Sequence, residues 1–362
     1  MTSKVCVVAA GGTGGHMFPA EALARELQAR GWRIVLATDH RGESYAQAFP
    51  AEERIALDAA TGRGPIGMAR AGVAITRGLF KARAALTRLD AAVVVGFGGY
   101  PSAPALLAAL SQGRPTLVHE QNSVLGRTNR WLSPWVGAVA ASFPDLRMVP
   151  HGVGARVTLV GNPVRPDIRA LNERPFAPPT ASGPVQVLVT GGSQGARILS
   201  ETVPQALAAL PEPLRKRLRV QQQSRPETLE AARVLYQAAG IEAEVAPFFD
   251  DMARRLSGTH LVIGRAGAST CSELAVAALP SLLIPLKIAM DDHQRFNAAS
   301  LAGVGGAKVV LEDDVTVEGL TAALLGLLSD PARLAAMSAG AKSAALPDAT
   351  AKLADMVEAA AS

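Results

Sequence analysis

Two units of a strand, a glycine-rich loop and a helix, about 180 residues apart, constrain the fold of this chain most strongly. The first spans residues 4–16 (Lys-Val-Cys-Val-Val-Ala-Ala-Gly-Gly-Thr-Gly-Gly-His), and the second spans residues 185–196 (Val-Gln-Val-Leu-Val-Thr-Gly-Gly-Ser-Gln-Gly-Ala). Each begins with an apolar run typical of a buried strand, and its glycines permit a tight turn. The helix that follows presents free N–H groups and the positive end of its dipole, which favour an anion. We therefore predict two nucleotide-binding halves that face a cleft.

The rest of the chain alternates strands and helices, which is typical of parallel α/β folds with right-handed crossovers. A length of 362 residues with 49% hydrophobic and 19% charged residues indicates two compact globular domains. The prolines between Gly161 and Pro166 interrupt the pattern and predict a hinge. We predict domains at residues 1–162 and 163–340, and a C-terminal helix at 341–362 that packs back on the first domain. The predicted strands are residues 5–10, 33–37, 92–96, 116–120, 138–141, 185–190, 219–223, 244–246, 261–264, 281–285 and 307–311.

The cysteines and the hydropathy pattern bear on where the protein acts. Cys6 and Cys271 lie on separate predicted elements in no metal-ligand pattern, so we expect buried thiols in a reducing compartment. No uncharged apolar run reaches the roughly 18 residues that a membrane-spanning helix needs, and no long apolar segment follows the N-terminus. These features predict a soluble, cytoplasmic protein.

A basic segment lies between Asp58 and Asp90, where no other acidic residue occurs. Its six cations are Arg63, Arg70, Arg77, Lys81, Arg83 and Arg88. Apolar residues such as Leu79 and Phe80 are interleaved with them, and a basic amphipathic helix of this kind can rest on an anionic bilayer. The alternative is a solvated helix whose apolar side faces the core. Nucleic acid is disfavoured, because few aromatic side chains are present to stack on bases.

His16 directly follows the first glycine loop and is therefore expected at the mouth of a helix. The loop Gly11-Gly-Thr-Gly-Gly15 lacks the spacing Gly-x-Gly-x-x-Gly, and Asp39 is not clearly the acidic residue that a dinucleotide site requires. A dinucleotide cofactor is therefore disfavoured. His16 has either a structural role or the role of a general base.

Two polar segments each follow a predicted strand, at the edge where open α/β sheets bind ligands. They are residues 96–102 and the run His119-Glu-Gln-Asn122. The four side chains of that run suit a sugar with several hydroxyl groups, although a plain loop would also explain them.

The second half contains a further strand, glycine turn and helix at residues 264–273. Its N–H groups could hold a diphosphate, and Glu273 could accept hydrogen bonds from a ribose diol or simply stabilise the helix dipole. The acidic pairs Asp250-Asp251, Asp291-Asp292 and Asp313-Asp314 lack the spacing of a metal site, and helix capping explains them better.

Seven motifs occur in a characteristic order: Gly11-Gly-Thr-Gly-Gly-His16, Gly98-Gly-Tyr100, His119-Glu-Gln-Asn122, Gly161-Asn-Pro-Val-Arg165, Gly191-Gly-Ser-Gln-Gly-Ala196, Ser272-Glu273 and Asp292-His-Gln294. Together they resemble the MurG family of bacterial glycosyltransferases over essentially the whole chain. The resemblance implies GT-B architecture, in which two Rossmann-like parallel-sheet domains face a central cleft. The first domain would bind the acceptor and the membrane, and the second domain would bind the donor. It also implies transfer of N-acetylglucosamine, with inversion, from UDP-N-acetylglucosamine to the 4-hydroxyl of MurNAc in undecaprenyl-pyrophosphoryl-MurNAc-pentapeptide (lipid I).

The resemblance further implies a set of substrate-binding residues. Arg165 and Ser193 would meet the diphosphate, and Phe249 would contact uracil through its backbone. Asn122 and Gln294 would bind the transferred sugar. The full set is Thr13, Gly14, Gly15, Tyr100, Asn122, Arg165, Ser193, Phe249, Ala268, Ser269, Thr270, Cys271, Ser272, Glu273 and Gln294.

The reaction needs a base for the acceptor hydroxyl and a way to stabilise the departing diphosphate. His16 or Glu120 could take the proton, and His16 is favoured. Helix N–H groups together with Arg165 can stabilise the diphosphate, so we expect neither a metal nor another cofactor.

The implied partners are UDP-N-acetylglucosamine, lipid I, an anionic inner-membrane surface and other cell-wall synthesis proteins, without nucleic acid. The implied location is peripheral, at the cytoplasmic face of the bacterial inner membrane. The alternatives are another GT-B glycosyltransferase or a UDP-sugar epimerase, and a non-catalytic module that binds UDP-sugar.

Overall fold

The computed structural model describes residues 3–11, 14–39, 49–57, 64–192 and 195–362, with the backbone alone for residues 64–71. Thr13, Ser193 and Arg63, which carry predictions above, lie outside the described residues, as does the side chain of Arg70. The chain divides into two compact units. Unit 1 comprises Met1–Arg165 and Pro347–Ser362, and unit 2 comprises Pro166–Leu346.

Unit 1 is built on a parallel sheet of seven described strands in the order β3-β2-β1-β4-β5-β6-β7. The strands are β1 (Val5–Ala9), β2 (Arg33–Thr38), β3 (Glu53–Ala56), β4 (Ala91–Gly96), β5 (Thr116–Glu120), β6 (Ala138–Ala141) and β7 (Val157–Leu159). The helices are α1 (Gly14–Ala29), α2 (Gly64–Leu89), α3 (Ser102–Ser111), α4 (Arg127–Leu132) and, from the end of the chain, α14 (Ala349–Ala360). The strand order reverses between β1 and β4, and ligands of open α/β sheets bind outside the carboxyl ends of strands at such a point.

The residues of β1 explain why helices cover both faces of this sheet. Val5, Val7 and Ala9 belong to one apolar core, which includes side chains of α2, α3 and α4. Cys6 and Val8 belong to the other, which includes side chains of α1 and α14. Because successive residues of a strand point to opposite faces, a wholly apolar strand needs cover on both sides.

The helix α14 packs on α1 inside unit 1. Leu353, Ala354 and Val357 of α14 are fully buried in the core that α1 shares. At its rim, Arg30 Nη1 lies 2.6 Å from Asp355 Oδ1 and 2.8 Å from Glu358 Oε2. The contact therefore combines apolar burial with a small ion-pair network.

Unit 2 is built on a parallel sheet of six described strands in the order β10-β9-β8-β11-β12-β13. The strands are β8 (Val185–Thr190), β9 (Leu218–Gln223), β10 (Glu242–Ala246), β11 (Leu261–Gly264), β12 (Ser281–Leu283) and β13 (Ala307–Val309). The helices are α5 (Pro166–Arg169), α6 (Arg197–Ala208), α7 (Glu212–Arg215), α8 (Leu229–Ala238), α9 (Met252–Ser257), α10 (Ala268–Val276), α11 (His293–Gly303), α12 (Val317–Leu328) and α13 (Pro331–Ser343). Its largest core joins β8 to α6, α8, α12 and α13.

The predicted α/β class with two parallel sheets is confirmed, and β5, β6, β8 and β11 have the predicted bounds. The sequence analysis missed β3 and β7, which lie at opposite edges of the sheet of unit 1. Ile55 is the only buried residue of β3, and no residue of β7 is buried. Both strands therefore lack the apolar run by which the other strands were recognised.

Two expectations from composition concern the thiols and the hydropathy. Cys6 and Cys271 are buried as predicted, and burial raises the pKa of both thiols to about 12. No single described helix combines the length and the hydropathy needed to cross a bilayer. Among the described helices, only α12 and α13 taken together have that length and hydropathy, and they meet at a 91° bend.

Candidate functional site

Two helices of unit 2 begin side by side at the carboxyl edge of its sheet. Thr190 at the end of β8 pairs with Gly264 at the end of β11, and α6 and α10 follow these strands. The residues before them, Ala196 and Gly267, have extended backbone and provide no side-chain cap. The first N–H groups of both helices are therefore open to an anion.

The loop before α6 can form only with glycine at its first position. A Cβ on Gly191 would lie 2.3 Å from the backbone nitrogen of Ala196. Gly192 follows with φ +77°. The backbone can therefore turn tightly and leave its N–H groups accessible.

Gln223, at the end of β9, holds this loop in place, and the sequence analysis missed it. Its Oε1 accepts from Thr190 Oγ1 and from Gly191 N, each at 3.1 Å. Its Nε2 donates to the carbonyl oxygens of Gly192 at 3.0 Å and of Pro247 at 3.3 Å. The signal in the sequence is a glutamine directly after a buried strand, at the edge where the glycine loops also lie.

The residues of α10 divide between the core and the carboxyl edge. Ala268 and Cys271 are buried, and Cys271 N donates to Gly267 O at 2.9 Å. The hydroxyl side chains Ser269, Thr270 and Ser272 are partly exposed, as is Glu273. The thiol of Cys271 is thus buried and its N–H is bonded within the protein, whereas the polar residues of the predicted set are accessible.

Gln294 is fixed beside this helix by its amide oxygen. Oε1 accepts from Leu286 N at 3.0 Å and from Ala266 N at 3.3 Å. These two N–H donors set the orientation of the amide, so Nε2 is left to donate. Gln294 is therefore held ready to bind an acceptor oxygen such as a hydroxyl.

Phe249 is covered by a guanidinium group. Its side chain is buried, and Arg255 Cζ lies 3.7 Å from the ring centroid. Arg255 is held there by Glu244, at 2.7 and 2.8 Å. The ring is thus occupied by protein, and the part of Phe249 left for a ligand is its backbone.

The acidic pairs do not cap helices as predicted. Asp251 precedes α9 and Asp292 precedes α11, yet neither side chain accepts from a backbone N–H of the helix that follows. Asp251 Oδ1 instead lies 2.5 Å from Arg255 Nε, and Asp313 pairs with Lys287 at 2.6 Å. The capping expectation is therefore wrong, because nearby cations compete for these carboxylates.

In unit 1, His16 lies in the first turn of α1 against the loop that follows β4. A Cβ on Gly98 would be 3.4 Å from His16 Nε2 and 3.4 Å from Asn129 Nδ2. Gly98 has φ +83°, which also favours glycine. Close by in the chain, Gly14 is buried, and Gly15 and Tyr100 are exposed. The structure therefore brings His16, Gly98 and Asn129 together.

Each carboxylate oxygen of Glu120 accepts two hydrogen bonds, from the loop that follows β5 and from α4. Oε1 accepts from Asn122 N at 3.0 Å and Nδ2 at 3.3 Å. Oε2 accepts from Gly126 N and Asn129 Nδ2, each at 2.9 Å. Glu120 is also buried, so it could take a proton from a substrate only if the loop first released these donors. His16, by contrast, is partly exposed.

His119 and Gln121 are buried and bonded to each other. His119 Nε2 donates to Gly161 O, and Nδ1 accepts from Gln121 Nε2, each at 3.0 Å. Burial lowers the pKa of His119 to about 4, so the imidazole is neutral at pH 7. Of the run 119–122, only Asn122 is partly exposed, and the expectation of four sugar-binding side chains is wrong for His119, because both of its ring nitrogens are bonded within the protein.

The basic segment forms α2, and its described cations differ in their surroundings. Arg83 Nη1 donates to Ser111 O at 3.1 Å, and Arg88 pairs with Glu53. Arg77 and Lys81 are exposed and form no ion pair with any residue that the structure describes. These two cations are therefore available to a partner.

Comparisons with known proteins agree over the whole chain. The N-terminal domain of glycosyltransferase family 28 matches residues 6–141, and the C-terminal domain of that family matches residues 186–353.

The relatives compared carry one name, UDP-N-acetylglucosamine–N-acetylmuramyl-(pentapeptide) pyrophosphoryl-undecaprenol N-acetylglucosamine transferase. The one from Caulobacter vibrioides is 62% identical over 98% of this chain and 99% of its own. The one from Phenylobacterium zucineum is 58% identical over 98% of both chains. The crystal structure of Acinetobacter baumannii MurG has a TM-score of 0.82 at 32% identity, over 98% of this chain and 99% of that one.

Proposed function

The chain belongs to glycosyltransferase family 28, and we infer that it transfers N-acetylglucosamine from UDP-N-acetylglucosamine to N-acetylmuramyl-(pentapeptide) pyrophosphoryl-undecaprenol, or lipid I. It is an inverting N-acetylglucosaminyltransferase of peptidoglycan synthesis. The observation that carries this conclusion is 62% identity to a relative of that name over 98% of the chain. The function expected from the ordered motifs is thereby confirmed.

We propose that the carboxyl edge of unit 2 binds the donor. Its diphosphate would lie at the open N–H groups of α6 and α10, with Ser193 as a further contact. Glu273, one turn into α10, would accept hydrogen bonds from the ribose hydroxyls. The donor N–H2 group of Gln294 would bind a hydroxyl of the transferred sugar.

We propose that His16 is the general base. The oxygen of the acceptor 4-hydroxyl attacks the anomeric carbon, the bond from that carbon to the UDP oxygen breaks, and His16 takes the hydroxyl proton. The leaving diphosphate gains charge in this step, and preorganised N–H groups stabilise it without reorganisation. The reasons to favour His16 over Glu120 are its partial exposure and the donors that occupy Glu120.

We propose that unit 1 docks peripherally on an anionic membrane, at the cytoplasmic face of the inner membrane. Arg77, Phe80 and Lys81 lie on one exposed face of α2, which offers both charge and apolar contact. A second exposed apolar feature lies after the start of α4, where Trp131 and Trp135 have ring centroids 5.6 Å apart. Tryptophan is a preferred residue at the membrane–water interface.

A radiolabelled transfer assay tests the function. The protein is incubated with labelled UDP-N-acetylglucosamine and a short-chain analogue of lipid I, and the label is expected in the lipid product. Donor binding without transfer to this acceptor would instead favour another GT-B transferase or a UDP-sugar epimerase. Binding without turnover of any acceptor would favour a non-catalytic module.

A further inference from the structure

The side chain of Asn162 is buried without a hydrogen-bond partner. Only 3% of the residue is exposed, and neither Oδ1 nor Nδ2 has a partner among the residues that the structure describes. An amide that is removed from water and left unbonded destabilises the folded protein. Buried polar groups are nearly always bonded, so this amide requires an explanation.

The backbone fixes the position of this amide. Val160 N and Gly161 N both donate to Ala141 O, at 3.0 and 3.1 Å. Gly161 O accepts from the fully buried His119, and Pro163 restricts the backbone on the other side. The backbone at Asn162 is thus fixed shortly after the carboxyl end of β7.

The same edge of the sheet carries two further buried amide oxygens without partners. They are Gln121 Oε1, on the loop that follows β5, and Asn129 Oδ1, on the helix α4 that follows this loop. Together with Asn162, the ends of β5 to β7 therefore offer three unbonded oxygen acceptors and one unbonded N–H2 donor. None of these atoms is charged. Such a set matches an uncharged group that both donates and accepts hydrogen bonds, as hydroxyl and acetamido groups of a sugar do.

We propose that Asn162 is a substrate-binding residue whose amide bonds a hydroxyl or acetamido group of an N-acetylhexosamine. This inference rests on the proposed function, because both substrates of that reaction carry an acetamido group. An acetamido group presents an N–H and a C=O that complement the two ends of an asparagine amide. In the free protein the unbonded amide is destabilising, and the bound sugar supplies the missing hydrogen bonds.

The test compares Asn162→Ala with Asn172→Ala in the full-length protein. Asn172 is the matched control, because its Nδ2 already donates to Val276 O at 2.9 Å. Melting temperature is measured for each variant, and calorimetry gives the Kd of UDP-N-acetylglucosamine and of a short-chain lipid I analogue. We expect Asn162→Ala to keep or raise the melting temperature and to weaken one substrate by about tenfold or more. Asn172→Ala should lower the melting temperature and leave both affinities unchanged.

The substrate that is weakened identifies which sugar Asn162 contacts, the donor or the acceptor. Affinities within twofold of wild type for both substrates would overturn the inference and indicate a trapped water. A weakening that comes with a lower melting temperature would also overturn it, since that combination indicates a structural role. Asn162→Ser serves in the same measurements if the alanine variant does not fold. Because these are binding measurements, they are independent of transfer, whose absence in wild type would refute the proposed function instead.

Discussion

His119 donates from Nε2 to the carbonyl oxygen of Gly161 at 3.0 Å, and so joins the end of β5 to the segment after β7. Gln121 Nε2 occupies the other ring nitrogen, so only the neutral tautomer with a proton on Nε2 satisfies both bonds. A second proton would have to displace Gln121 inside a fully buried environment.

This arrangement predicts acid sensitivity of stability. Burial lowers the pKa of His119 from 6.5 to about 4 in the folded protein, so between these values the unfolded chain binds more protons. The free energy of unfolding should therefore fall by up to about 3 kcal/mol between pH 6.5 and pH 4, and this contribution should be constant outside that window. Denaturant titrations of wild type and His119→Gln measure it. The difference in the free energy of unfolding between the two proteins should decrease as the pH falls. A difference that does not change with pH would contradict the prediction.

The role of His16 predicts a loss of turnover without a loss of donor binding. His16→Ala should lower kcat by about 100-fold or more, because a positioned base contributes that much. The Kd of UDP-N-acetylglucosamine should stay within about twofold, since the proposed donor contacts lie elsewhere. His151→Ala, an exposed histidine of the same unit, is the control and should keep normal turnover. If His16→Ala keeps near-normal turnover, the general base is instead Glu120 or water.

The role of Glu273 predicts weaker donor binding. Glu273→Ala should cost roughly 2–3 kcal/mol of affinity for UDP-N-acetylglucosamine, which is typical of lost charge-assisted hydrogen bonds. Glu318→Ala is the control, because Glu318 is an acidic residue in the first turn of another helix of unit 2. Calorimetry should show unchanged affinity for the Glu318 variant. If the Glu273 variant behaves in the same way, the carboxylate only stabilises its helix.

The surroundings of the cations on α2 indicate which ones to change for a membrane test. Arg77 and Lys81 are unengaged among the described residues, whereas changing Arg83 would also break its bond to Ser111. The double variant Arg77→Glu/Lys81→Glu should bind anionic vesicles about tenfold or more weakly, since each surface cation contributes about 1 kcal/mol. Turnover of a soluble short-chain acceptor should persist.

The control for this test is Lys216→Glu/Arg233→Glu, which makes the same charge change in unit 2. It should leave vesicle co-sedimentation unchanged, and added salt should weaken binding of wild type. If neither salt nor the charge reversal on α2 alters vesicle binding, the membrane proposal is wrong, and α2 is a solvated helix whose apolar side faces the core.

The tryptophans provide an independent measurement of the same proposal. Trp131 and Trp135 are 51% and 55% exposed, whereas Trp32, the third tryptophan, is only 8% exposed. Fluorescence emission should therefore shift to shorter wavelength on addition of anionic vesicles, and Trp131→Ala/Trp135→Ala should abolish most of the shift. An emission spectrum that vesicles do not change would exclude insertion of this pair.

The sequence predicted the parts of the fold that depend on local patterns. Buried parallel strands such as β5 and β8 are continuous apolar runs, and glycine loops mark where their helices begin. The edge strands β3 and β7 were not predicted, because their formation depends on a neighbouring strand and little on their own residues. Their existence is a property of the assembled sheet.

In the candidate site too, local features could be predicted from the sequence and contacts between distant residues could not. The glycine loops and the helix that carries Glu273 were located correctly in the sequence, since strand, turn and helix are each local. The environment of Glu120 was not predictable, because two of its donors come from Gly126 and Asn129 further along the chain. Nor could the sequence show that Gln223 braces the loop at Gly191, a contact between residues 32 positions apart.

The packing of α14 on α1 has a consequence for the order in which the protein folds on the ribosome. Unit 2 is continuous in the chain, whereas unit 1 takes Pro347–Ser362 from beyond it. One face of the α1 layer therefore waits, during synthesis, for Leu353 and Val357 to emerge after all of unit 2 has been made. Unit 2 can complete its core as soon as its own residues have left the exit tunnel. The first unit to begin is thus the last to be finished, and its apolar face stays uncovered while the nascent chain lengthens.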